Sequence, residues 1–106
     1  MYLYKAMDKF EEEDYCGAIE KLDETIKKYP DYAEAYYLRG HSKYFLADYP
    51  GAISDYNKAI EINPENISVY NSRGICKKEN NDLKGAMKDF NKAIEMNHLF
   101  EDAYYN

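Results

Sequence analysis

Between Tyr49 and Ile62 the apolar residues Ala52, Ile53, Tyr56, Ala59 and Ile60 stand 1, 3, 3 and 1 residues apart. That spacing draws one apolar stripe along a helix and predicts an amphipathic α-helix over this stretch. Pro50 falls in its first turn, where a missing N–H breaks no bond, and Asn63-Pro64 stops it. A helix precedes it at about Ala33–Leu46, and two more follow at about Ile67–Glu79 and Leu83–Met96. Asn80-Asn81-Asp82 is turn chemistry, with Asp82 placed as an N-cap. Upstream, helices are predicted at about Tyr2–Glu12 and from the cap Asp14 to about Lys28. Lys27 and Lys28 suit the negative end of that helix, and Tyr29-Pro30 closes it.

The pattern repeats. Ala33–Asn66 matches Ile67–Phe100 without a gap: SVYNSRG follows EAYYLRG, and GAMKDFNKAIEMN follows GAISDYNKAIEIN. Met1–Tyr32 matches more loosely, and the period is 34 residues each time. Each unit is a helix pair that cannot bury its own apolar face, so neighbouring units stack to form a continuous core.

The recurring residues carry a resemblance. A large residue near the start of each first helix falls on Tyr2, Tyr36, Tyr70 and Tyr104. A small one four places on falls on Ala6, Gly40 and Gly74. In the second helices an alanine recurs at Ala18, Ala52 and Ala86. A large residue follows at Leu22, Tyr56 and Phe90, then a small one at Thr25, Ala59 and Ala93. The closing proline is Pro30 and Pro64, with His98 in its place in the third unit. This pattern, over essentially the whole chain, resembles the tetratricopeptide repeat. The resemblance implies an all-α fold, an α-solenoid of antiparallel helix pairs in a right-handed superhelix. It implies one domain over residues 1–106, with repeats at about 1–32, 33–66 and 67–100 and the start of a fourth at 101–106. Gly40 and Gly74, poor helix formers, are explained if they let the paired helix approach closely at Ala52 and Ala86.

At 106 residues the chain has room for a single domain. Its aromatics are 13 tyrosines and 4 phenylalanines, and tyrosine suits a thin solenoid because it buries a ring while its hydroxyl stays wet. A net charge of −6 argues against nucleic acid or an anionic membrane as partner, since both call for a basic surface. No apolar run approaches the ~20 residues of a membrane span, and MYLYKAMDKF lacks a signal-peptide pattern. Cys16 and Cys76 fall at different places in their repeats, which predicts free thiols and a cytoplasmic setting.

Chemistry-bearing motifs are scarce. There is no Gly-rich phosphate loop, no HExxH, no paired CxxC and no serine in a glycine elbow, so neither enzyme nor cofactor is predicted. The acidic run Glu11 to Asp14 reads as a helix end and a cap rather than a metal cluster. Lys5 and Lys9, Arg39 and Lys43, and Arg73 and Lys77 are pairs four apart at one place in each repeat, while Asp55 and Asp89 recur on the second helices. Two readings follow: a column that binds anions, or a ladder in which arginine on one helix pairs with aspartate on its neighbour.

In the family the first helices line a concave face, and the resemblance implies groove residues at the fifth, ninth and twelfth places of each repeat. Here these are Leu3, Met7 and Phe10; Tyr37, His41 and Tyr44; Asn71, Ile75 and Lys78; and Tyr105. Rigid aromatics in a concavity are efficient contacts, so the expected partner is a protein or peptide ligand, an extended peptide or a short helix. Some members clamp chaperone tails with cations and amides. The corresponding places here hold Leu3, Met7, Leu38, Ser68 and Ser72, which supply neither. The alternative function is structural: the face of Ala86, Phe90, Ala93 and Ile94 has no capping helix after it, and self-association through this uncapped C-terminal end would cover it.

Overall fold

The computed structural model of the chain describes Lys9 and residues 13–105, with side-chain burial given up to Asn97. The predicted first helix, with Leu3, Lys5, Met7 and Phe10, lies outside the described residues. Among those described there are five helices: α1 Tyr15–Lys28, α2 Ala33–Phe45, α3 Tyr49–Ile62, α4 Ile67–Glu79 and α5 Leu83–Tyr105. The chain is thus an all-α array of helix hairpins. α2 pairs with α3 and α4 with α5 inside a repeat, while α1 meets α2 and α3 meets α4 between repeats.

Each turn inside a repeat is built the same way. Glu13, Ala47 and Asn81 take φ of 60°, 62° and 65°. The next N–H then reaches back to close the preceding helix, from Asp48 to the Lys43 carbonyl at 2.8 Å and from Asp82 to that of Lys77 at 2.7 Å. The same aspartates cap the following helix. Asp14, Asp48 and Asp82 accept from the backbone N–H of Gly17, Gly51 and Gly85 at 2.9, 3.0 and 2.9 Å. One residue therefore ends one helix and starts the next, which is why the connection is so short. Asn81 tolerates the left-handed conformation, whereas an alanine there costs roughly 1 kcal/mol.

The turn between repeats is tied by tyrosine. The hydroxyls of Tyr36 and Tyr70 donate to the carbonyls of Pro30 and Pro64, each at 3.0 Å. The main core lies where α2, α3 and α4 meet. Tyr36, Ala52, Tyr56, Ala59, Val69 and Cys76 are buried there, and Ile53 and Ile60 pack against them. Leu22 and Ala35 form the smaller core between α1 and α2, and Ile26 bridges the two cores.

The charged column is a ladder. Arg39 grips Asp55 of its own hairpin with two bonds, Nε at 2.9 Å and Nη2 at 2.7 Å, and Lys43 adds a third contact at 3.0 Å. Its remaining arm reaches Asp23 of the preceding repeat at 2.9 Å. Thirty-four residues on, Arg73 grips Asp89 at 2.9 and 2.6 Å, with Lys77 at 3.1 Å, and reaches back to Asn57 at 2.8 Å. The guanidinium also lies over the tyrosine three places earlier, at 5.5 Å from Tyr36 and 5.6 Å from Tyr70. The anion-binding reading fails because these cations are spent on buried carboxylates. Pairing with Asp55 outweighs burial and holds Arg39 protonated even more firmly than usual.

Two expectations are corrected by the structure. A Cβ on Gly40 would sit 2.7 Å from the Tyr56 ring, and one on Gly74 2.7 Å from the Phe90 ring. The glycines therefore make room for these rings rather than for Ala52 and Ala86. The helix expected to end at Met96 runs on to Tyr105, so residues 101–105 extend α5 and do not open a separate helix. His98 stands where proline ends the earlier helices, and histidine neither removes the N–H nor clashes with the preceding turn.

Two measurements check this account. Gly40→Leu drives a side chain into the Tyr56 ring and is expected to abolish cooperative melting by circular dichroism; an unchanged melt would refute the role given to Gly40. Asp55→Ala strands two cations at a buried site and is expected to cost about 3–5 kcal/mol in urea unfolding. Asp23→Ala removes a 56% exposed partner and is expected to cost about 1 kcal/mol or less. Equal losses would refute the ladder as drawn.

Candidate binding groove

α2 and α4 approach each other along one side of the array, and a cavity of about 300 Å³ opens between them. Its walls are His41, Tyr44 and Phe45 from α2, Ser72 and Ile75 from α4, and Tyr56 rising from α3. The helical period explains the set: residues 41, 44 and 45 share one face of α2, and 72 and 75 one face of α4. Four predicted groove residues meet here. His41, Tyr44 and Ile75 line the cavity, and Tyr37, which is not among the lining residues, packs against two of them, with ring centroids 4.3 Å from His41 and 5.9 Å from Tyr56. Asn71 and Lys78 lie exposed on α4 and are not among the lining residues. Tyr105 is placed in α5, its side chain outside the description.

Sequence reasoning missed Phe45, Ser72 and above all Tyr56, which had been assigned to packing. With no side chain at Gly40, the Tyr56 ring lies against α2 and its hydroxyl comes within 2.7 Å of His41 Nδ1. A signal for this pair was present in the repeats. Where the second repeat has His41 with Tyr56, the third has Ile75 with Phe90, and the first has Met7 with Leu22. The polar pair appears as a unit, and both members become apolar together.

The electrostatics are those of a neutral site. Burial pushes the Tyr56 hydroxyl far above its usual range, so it stays protonated. Burial also lowers His41 below its ordinary 6.5, so the imidazole is neutral at pH 7. The Cys76 thiol beneath is pushed up to about 11 by burial, against the opposing effect of a hydrogen bond to Tyr56, which makes it a poor nucleophile. Aromatic contacts carry the surface toward α1: Tyr44 meets Phe45 edge-on at 5.3 Å, and Phe45 stacks on Tyr15 at 4.9 Å. Phe45 and Ile75 are 53% and 38% exposed, so the rim offers apolar surface to solvent. Among the described residues no group of three or more His, Cys, Asp or Glu is arranged to hold a metal. Nor, among them, is any helix long and apolar enough to cross a membrane.

His41 makes stability depend on pH in a definite direction. Below about pH 6.5 the unfolded chain takes up a proton that the folded chain resists, so stability attributable to this residue falls as pH drops. His41→Phe is expected to flatten that part of the dependence between pH 7 and 5, measured as the difference between the two unfolding free energies. Parallel curves would refute the buried, neutral histidine.

Comparisons with known proteins agree with this architecture. Two family models described as tetratricopeptide repeat match residues 33–66 and 55–88. No curated protein matches the sequence. A crystal structure of MamA is similar at 29% identity and a TM-score of 0.92, over 95% of this chain and 59% of that one. Another MamA structure is 30% identical with a TM-score of 0.89, over 99% of this chain and 56% of that one. The chain thus spans less than two thirds of either. A TPR2B domain of yeast Sti1, in complex with pHsp70, has a TM-score of 0.90 at 24% identity, over 95% of this chain and 81% of that one.

Proposed function

From a chain that belongs to the tetratricopeptide-repeat family, we infer a non-catalytic interaction scaffold that holds a peptide or short helix in the groove between α2 and α4. The observation that carries this is the cavity. It is concave, apolar and partly pre-formed, with one neutral polar pair at its floor, which is the make-up of a ligand site. Tyr37, Tyr44 and Phe45 are bulky rings with few rotors to freeze, so contact with them retains most of its energy. A bulky apolar side chain of the ligand enters between Tyr44 and Ile75 and packs on the rings of His41 and Tyr56 at the floor.

A relative of similar fold, the yeast Sti1 domain, is seen with pHsp70. That ligand is not carried over. Among the clamp places inside the described residues, Leu38 packs against the smaller core, while Ser72 lines the cavity and Ser68 lies in the first turn of α4. None offers a cation to a carboxylate.

A randomised peptide library displayed against the chain tests the reading. The expected ligands share a bulky apolar residue, and Ile75→Glu, at an exposed rim position, weakens them about tenfold or more, a difference of 1.4 kcal/mol. The double variant Tyr37→Ala with Tyr44→Ala abolishes capture. Peptides captured equally by all three proteins would move the site elsewhere.

A further inference from the structure

The joint between repeats is built twice inside the chain, and half of it stands open on α5. Ile26 of α1 and Ile60 of α3 pack into the core that the following helix completes. The 34-residue period puts Ile94 at the same place on α5, where it is 57% exposed. Met87, at the place of Ile53, is 58% exposed, whereas Ile53 packs against the core. Asn91 stands where Asp23 and Asn57 each receive an arginine, and it faces solvent. α5 therefore presents a surface that the chain elsewhere covers with a helix.

Spacing and charge point to what covers it here. Leu83, Met87, Phe90 and Ile94 are separated by 4, 3 and 4, the spacing of a two-helix seam. At about 100° per residue they fall within one narrow stripe, and Phe90 lies at its edge against Gly74. Lys84, Lys88 and Glu95 occupy places along a single flank of that stripe. Read along α5, the flank is basic, basic, acidic. When two helices pair antiparallel through such a seam, equivalent flanks face each other in reversed direction. The basic half of one then runs beside the acidic half of the other. A parallel pair would set each flank against the opposite side of its partner and lose this match.

We propose that two copies of this chain associate through α5, antiparallel about a two-fold axis, with Leu83, Met87 and Ile94 in the seam and Lys84 and Lys88 beside Glu95 of the partner subunit. The arrangement is isologous, so it closes at two copies and does not grow into a fibre. It leaves the cavity between α2 and α4 to its own ligand and does not depend on the groove reading.

Sedimentation equilibrium on the full chain, over a concentration series, tests the proposal. The expected result is a dimer whose dissociation constant rises about tenfold or more in Met87→Glu, with far-UV circular dichroism unchanged because the side chain is exposed. Lys88→Glu and Glu95→Lys each weaken the dimer, and mixing these two variants restores it as a heterodimer. A wild-type monomer at every concentration would overturn the proposal. So would a dimer indifferent to Met87→Glu and to the charge changes. A monomer whose α5 instead binds a synthetic peptide of residues 33–47, blocked by Met87→Glu, would assign the face to a repeat-type helix from elsewhere.

Discussion

Each bidentate arginine–aspartate pair fixes three helices at once. Arg39 sits on α2, holds Asp55 on α3 with two bonds, and reaches Asp23 on α1 with a third. Burying such a pair is costly in desolvation, and the gain is returned only when every donor and acceptor is matched. Here Lys43 and the face of Tyr36 complete the matching, and the same set recurs around Arg73. No buried side-chain nitrogen or oxygen among the described residues lacks a partner. The ladder thus sets rotation and spacing together, within a hairpin and across the joint to the one before it.

The groove is a by-product of that alignment. With α2 and α4 held on one side by their ties to α3 and α5, the faces that carry Tyr44 and Ile75 are left looking at each other across the cavity. The ring of Tyr56 is shared between the two jobs. One face packs against α2 at Gly40, and its hydroxyl furnishes the only polar feature of the cavity floor apart from His41 and Ser72. Stability and recognition therefore meet in one side chain, as they do not in the next repeat, where phenylalanine has no hydroxyl to offer.

Most of the fold was legible in the sequence because so many residue types agree at one period. α3 and α4 begin and end where the pattern puts them, and α2 stops one residue before Leu46. The aspartate caps and the prolines are local signals that need no tertiary knowledge. What failed was of another kind. The partners of Gly40 and Gly74 depend on which ring lies across the helix, and periodicity does not say that. The run of α5 past Met96 depends on a signal that is missing rather than present. At the cavity, the places named from the resemblance include His41, Tyr44 and Ile75, which line it, and Asn71 and Lys78, which do not, while Tyr56 was hidden because a core place in one helix reached through to the surface of another.

His98 shows how slight that missing signal is. Pro30 and Pro64 stand at the same place in the two earlier repeats, and there the helix breaks and the chain reverses. With histidine, α5 reaches 23 residues against 14 in α3, about 13 Å of additional helix. Helix-forming residues and chain-reversing residues are thus separately written in this chain, and the reversal between one repeat and the next is confined to one short stretch in each period. Such an array can trade a hairpin for a rod by changing its punctuation, with the packing code on either side left intact.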